Sequence, residues 1–294
     1  MNRRACRGVL VTVSSLALLL ASTASDVSSQ DTHKSIFVSV LDADGKPVTG
    51  LTAADFAIRE DNADRQIVNV QPASQPLYIA MLVDTTTGAE PFVSDIREGF
   101  TGFATQVLTK SPTSQLALWE FGQAAVRVQD FTSDLPKLTD RIARIFPKLN
   151  ASSVLLEALN DASDQLAKKP SPRRAIVVLN LEPSEEQSSE QPQKINESLM
   201  RSHAQLWAVS LQKGNLKNAS RDVVLNTLVR NAGGTREYIV VESAAPSHLA
   251  RVADALTSQY EITYERPSGN AKIVQVGQRT GRDLKIVTGI FAPR

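Results

Sequence analysis

Cysteine is all but missing: Cys6 is the single one in 294 residues, and it stands before an apolar run rather than after it. A disulfide framework is excluded, and so is a lipid-anchored cysteine at a cleavage point. Histidine is nearly as scarce. His33, His203 and His248 are scattered, and none follows the carboxyl end of an expected strand, where a base serving a nucleophile would be needed. Gly-x-Ser-x-Gly, a P-loop and His-Glu-x-x-His are all absent. The carboxylate pair Glu185 and Glu186 sits in a polar run and reads as solvated, so no catalytic residues are expected. Charge of one sign is lacking too, with a formal net charge of +1, which leaves no electrostatic footprint for nucleic acid or an anionic membrane surface. The one basic cluster, Lys168, Lys169, Arg173 and Arg174 around Pro170 and Pro172, reads as a solvated loop.

What is present begins with Arg3, Arg4 and Arg7, an apolar run from Gly8 to Leu20, and the small residues Ala21 to Ser25. This is the layout of a secretory signal peptide over residues 1–24, and the expected location is secreted or periplasmic. A retained signal anchor is the alternative, although the run is shorter than the roughly 20 apolar residues a span requires. No membrane span is expected after cleavage, and export without cysteine means that the core alone stabilises the fold.

The stretch around which the chain is organised is Leu77 to Gly88, LYIAMLVDTTTG. A short apolar run with turn chemistry at its end reads as a strand buried on both faces. Asp84 then falls at the strand's carboxyl end, where ligands bind in open α/β sheets. Ala175 to Leu181, AIVVLNL, has the same character and is expected beside it. Phe92, Ile96, Phe100, Phe103 and Val107 form a helical stripe read as core. Leu116 to Phe121 and Val126 to Phe131, joined through Gly122-Gln123, read as a hairpin whose second strand runs antiparallel at a sheet edge. Leu138, Ile142, Ile145 and Leu149 form another stripe, ended by Pro147. Ser152 or Ser153 can cap the next helix, with Leu155, Leu159, Ala162 and Leu166 as its buried face.

Glu182 to Gln193 is the most polar segment, with four glutamates, three serines and two prolines. It is expected to form a mobile loop above the same edge as Asp84, with a binding role and plain solvation as its two readings. A helix near Ile195 to Ser202, a strand Gln205 to Leu211, a helix closed by Gly233-Gly234, a strand Tyr238 to Val241 and a helix through Leu249, Val252, Leu256 and Tyr260 continue the alternation. Strands alternating with helices predict a doubly wound, mostly parallel α/β sheet over residues 76–260. Residues 33–75 and 261–294 read as β on both sides of it. Neither flank has enough strands for its own core, so the two are expected to pair as one small β-sandwich into which the α/β domain is inserted. Asp42, Asp44 and Gly45 form a turn rather than a calcium loop, because Pro47 and Ala53 stand where that loop needs glycine and an acid.

The element order, with Asp-x-Thr-x-Gly after the first buried strand, resembles a von Willebrand factor type A domain. The whole chain is similar to the VWFA-related domain proteins of the acidobacterial type. The stretches that carry the likeness are Val40-Leu41-Asp42 through Gly45-Lys46-Pro47-Val48, Gly50-Leu51-Thr52 with Asp55-Phe56, Leu82-Val83-Asp84, Tyr260 to Tyr264, and Gly289 to Pro293. The resemblance implies a metal-ion-dependent adhesion site through which such domains bind proteins. In it Asp84 matches the first ligand, Thr86 keeps a hydroxyl at the next, and Ser153 is the match for the loop threonine. Gly88 stands where the last hydroxyl belongs, and Asn180-Leu181-Glu182 replaces Thr-Asp-Gly, with Glu182 a substitute only if the backbone shifts by a residue. Such a remnant implies Mg²⁺ or Ca²⁺ held at about millimolar strength or not at all. The expected function is an exported, non-enzymatic module of adhesion or scaffold type with an unidentified protein partner. A secreted hydrolase and a purely structural envelope component are the alternatives.

Overall fold

The computed structural model describes residues 33–212, 219–267, 269–279 and 281–293. The expected signal peptide lies outside them. The chain opens with β1 (His33–Leu41), β2 (Phe56–Glu60), β3 (Ala63–Arg65) and β4 (Ile67–Pro72). Next come β5 (Tyr78–Val83), a 3-10 turn over Thr87–Phe92, α1 (Val93–Lys110), β6 (Gln115–Glu120), β7 (Val126–Thr132) and α2 (Leu135–Ala143). The alternation continues with α3 (Leu155–Ala167), β8 (Arg174–Leu181), α4 (Pro192–Ser202), β9 (Gln205–Leu211), α5 (Ala219–Ala232), β10 (Arg236–Ile239) and α6 (Ala245–Thr257). β11 (Tyr260–Glu265), β12 (Val274–Gln278) and β13 (Lys285–Val287) close it.

The central sheet has the order β10-β9-β8-β5-β6-β7. Every neighbouring pair is parallel except β6 with β7. β5 and β8 therefore lie side by side, and β7 is the antiparallel edge, as the sequence predicts. The continuous apolar strings of β5, β8 and β9 follow from coverage on both faces. One face packs Met81, Val83, Leu179 and Leu181 against α1, α2 and α6 through Phe100, Phe103, Ile142 and Leu249. The other packs Leu82, Ile176, Val178 and Ala208 against α3, α4 and α5 through Leu159, Leu199 and Leu225.

The flanking strands form two antiparallel sheets, β13-β1-β11-β4 and β12-β2-β3. β11 lies between β1 and β4, so a strand from the end of the chain fills a gap between two from its beginning. The two sheets share a core of Val38, Val40, Phe56, Ile58, Tyr260, Ile262, Tyr264 and Val274. Glu60 is sealed inside with its charge met by Arg266 and by Arg65 at 3.2 Å, and with a hydrogen bond from Tyr264 at 2.5 Å.

Several expectations change. Arg173 of the basic cluster is buried, donating to the carbonyls of Ala73, Gln75 and Leu256 and to Gln259. It ties the segment between β4 and β5 to the end of α6, and burial pulls its pKa down to about 10. The final strand of the central sheet falls two residues earlier than expected, leaving Val240 and Val241 exposed beyond it. α2 ends at Ala143, earlier than the expected end at Pro147, so the stripe stops short of Leu149, which is 77% exposed.

Candidate functional site at the carboxyl edge of the sheet

Asp84 immediately follows β5, the position from which the carboxyl edge is organised. Its side chain is fully buried. Oδ1 accepts from the Thr86 amide at 2.9 Å and Oδ2 from the Leu181 amide at 3.1 Å. Burial pushes the Asp84 carboxyl above its ordinary range, against the pull of these bonds and of Arg221. The Thr86 hydroxyl is engaged with Ser184 Oγ at 2.6 Å. Gly88 carries no side chain; a methyl group there would lie 3.6 Å from both Leu181 and the Ser184 hydroxyl.

Ser153 is buried at the end of the loop into α3, and its hydroxyl bonds Glu186 Oε2 at 3.1 Å. Its backbone is held as well: the Ser153 amide donates to Glu185 and its carbonyl accepts from Gln187. The segment after β8 is therefore a strap fastened across the edge, not the free loop its polarity suggests. Glu186 Oε1 accepts from the Leu155 amide and Ser188 Oγ from the Leu156 amide. These are donors that the first turn of a helix leaves unsatisfied, and a carboxylate there also meets the positive end of the helix dipole. Glu157 returns the favour by accepting from the amides of Ser189 and Glu190.

Two arginines lock the strap from the other side. Arg221, in the first turn of α5 and only 4% exposed, donates Nε to Glu186 at 2.8 Å, Nη1 to the Leu181 carbonyl at 2.7 Å and Nη2 to the Ser184 carbonyl at 2.7 Å. Arg236 meets Glu182 at 2.6 Å and Asp222 at 2.9 Å, while Asn180 and Ser210 complete the buried network. Glu182 is thus committed to Arg236, and it is the Leu181 amide, one residue earlier, that faces Asp84. Neither arginine stood out in the sequence. The one available signal was a cation in the first turn of a helix, where the dipole disfavours it.

The loop between α2 and α3 forms the outer rim. Lys148 donates its amide to the Thr85 carbonyl at 2.8 Å, and Arg97 lies 4.3 Å above the Phe146 ring while bonding the Ile145 carbonyl. Gly122 lets the backbone after β6 come this close, since a side chain there would meet the Thr85 carbonyl at 2.7 Å. Phe146 and Leu149 project from this rim, 62% and 77% exposed.

No family model and no curated protein matches the chain. Among solved structures, a von Willebrand factor type A protein from Catenulispora acidiphila aligns with a TM-score of 0.51 at 10% identity, covering 87% of this chain and 72% of that one. The chain has the von Willebrand factor type A fold. The vWF domain of the type V pili tip protein Mfa5 from Porphyromonas gingivalis aligns at TM-score 0.48 and 10% identity, over 62% of this chain and 95% of that one. BatB from Bacteroides thetaiotaomicron aligns at TM-score 0.45 and 12% identity, over 62% and 100%.

Within the von Willebrand factor type A fold, Asp84 and Thr86 stand at the edge where the resemblance puts a divalent ion, and Ser153 enters the same hydrogen-bonded strap through Glu186. The donors present do not fit such an ion. A hard cation needs several oxygens around open space. Here Gly88 offers none, Thr86 and Ser153 are tied to Ser184 and Glu186, and Asp84 is capped by two amides. Among the described residues no three His, Cys, Asp or Glu side chains are grouped to hold a metal.

Proposed function

We propose that this chain is an exported, non-enzymatic protein-binding module of adhesion or scaffold type, whose carboxyl edge is a degenerate metal-ion-dependent adhesion site. The observation that carries this reading is the pair Phe146 and Leu149, large apolar side chains held in the open on a loop anchored to Thr85, directly beside the Asp84 edge. Contiguous exposed apolar surface marks contact sites, and this pair is read as part of one. Chemistry has little to start from: Asp84 is sealed from solvent, and His248 is paired with Glu237 on the α6 side. Among the described residues no helix is long and apolar enough to cross a membrane.

The test is crosslinking to native cell-envelope proteins with the double variant Phe146→Ser, Leu149→Ser. Exposed positions of this kind shift stability by within about 0.5 kcal/mol, so unfolding should stay where it is while the reproducible crosslink disappears. An unchanged crosslink would remove the rim from the interface. Mass spectrometry of the exported chain should find an amino terminus following Ala24.

A further inference from the structure

We propose that Arg221 takes the place of the divalent cation at this edge, so that the chain's own guanidinium assembles and locks the Asp84 face and no metal is needed. The inference rests on the proposed reading only for the identity of the face, and goes beyond it by naming what closes that face.

Four observations converge on Arg221. Its side chain is 2% exposed, and a charge so enclosed must be met by acceptors. All three directions of its fork are used, on the Glu186 carboxylate and the carbonyls of Leu181 and Ser184. Oxygen ligands converging on one positive centre are the donor set a hard cation would recruit, here matched to a planar fork. The groups it holds are the ones that shut the site. Leu181 supplies the amide on Asp84, Ser184 bonds Thr86, and Glu186 bonds Ser153. Every residue matching the resemblance is therefore one step removed from Arg221. Finally, its position opposes the helix: a cation in the first turn of α5 works against the dipole. The placement makes sense only if the acceptors on the strap offset that cost.

The closure has a direction. The strap runs from β8 across to α3, and Arg221 approaches from α5, so the fork joins three elements that the chain visits separately. Lysine, a point charge with three mobile donors, would not span two carbonyls and a carboxylate in one plane.

The experiment uses the mature chain, residues 25–294, in four forms: wild type, Arg221→Met, Arg221→Lys and Asp84→Ala. Thermal unfolding is followed with chelator and with millimolar Mg²⁺, Mn²⁺ or Ca²⁺, and limited proteolysis reads cleavage between residues 182 and 193. The wild-type midpoint should be the same with chelator and with each ion. Arg221→Met should lower the folding equilibrium constant by at least about a hundredfold, as breaking a buried charged pair does, and should speed cleavage of the strap. Should Arg221→Met not fold, Arg221→Lys carries the same comparison, with faster strap cleavage than wild type expected. Two results would overturn the proposal: ion-dependent stabilisation of wild type that Asp84→Ala abolishes, or variants of Arg221 with wild-type midpoint and strap cleavage. Neither measurement involves a partner, so a crosslink unchanged by the Phe146 and Leu149 substitutions leaves this inference standing, and the reverse holds as well.

Discussion

The sharpest energetic test lies in the flanking sheets, where Glu60 is shut in with Arg266. The Glu60 side chain is 0% exposed and that of Arg266 6%. Arg266 Nε lies 2.9 and 3.0 Å from the two carboxylate oxygens, its Nη2 also bonds Oε1, and its Nη1 reaches the Pro293 carbonyl. Removing Glu60 strands the Arg266 charge, and removing Arg266 leaves Glu60 with Arg65 alone, at a cost of up to about 3–5 kcal/mol in either case. Replacing both with apolar residues of similar volume removes both desolvation penalties and leaves the buried Tyr264 hydroxyl without its partners, at about 1–3 kcal/mol. Arg266→Met and Glu60→Met should therefore each cost up to about 3–5 kcal/mol, while the double variant costs far less than their sum. Urea denaturation read by far-ultraviolet circular dichroism gives the three values. Trp119 and Trp207, both in the central sheet, show by fluorescence whether that sheet melts with the flanks. Additive single effects would refute the argument, because they would mean the two charges are solvated independently.

The same pair sets a pH dependence. Burial raises the Glu60 pKa, but the bonds from Arg266 and Tyr264, the Arg266 charge and the bond from Arg65 outweigh it and leave the carboxyl below its ordinary 4.5. A carboxyl with a depressed folded pKa binds fewer protons in the native state, so its contribution is complete above about 4.5 and fades as pH falls through the lower value. Wild type should lose stability over that acidic range, and Glu60→Met should show a flatter profile there.

Two further outcomes are expected. Asp84→Ala orphans the amides of Thr86 and Leu181 inside the edge, at about 1–3 kcal/mol for each unsatisfied donor, read as a lowered urea midpoint. Deleting residues 262–294 removes most of the strand that β1 and β4 share, so hydrogen exchange should show both losing protection while β5 and β8 keep theirs; protected β1 and β4 amides would show that the flanks do not depend on one another.

The central strands were legible because burial on both faces leaves an unbroken apolar string, which β5, β8 and β9 all show. The β6 and β7 pair and the stripe of α1 were legible because their patterns are local. What escaped was decided by partners distant in the chain. Arg173 looked like part of a solvated run because its acceptors come from residues 73, 75, 256 and 259. Glu185 and Glu186 looked like free surface because Arg221, which binds Glu186, lies 35 residues away. Leu149 was put on a helical stripe by spacing alone, and the early end of α2 turned it outward. At the site, Asp84 and its hydroxyls were read from one motif, whereas the cation that answers them lies on another helix and has no motif.

A closed edge changes how a partner would be held. Glu186 is paired to Arg221 and Glu182 to Arg236, so on the proposed reading neither carboxylate is free for a partner, and apolar burial has to contribute. Burying Phe146 and Leu149 supplies about 1.5–3 kcal/mol each, whereas a micromolar complex needs about 8 kcal/mol. The rim alone is too small, and the interface has to extend along the edge. β10 runs parallel to β9 and β8, so Val240 and Val241 emerge at the same carboxyl edge, three strands from β5 and about 14 Å away at the usual strand spacing. That distance lies within a partner footprint of about 800 Å². The strap, fixed by Arg221, crosses the edge between them, and its rigidity would keep the two apolar clusters at a constant separation without an ion.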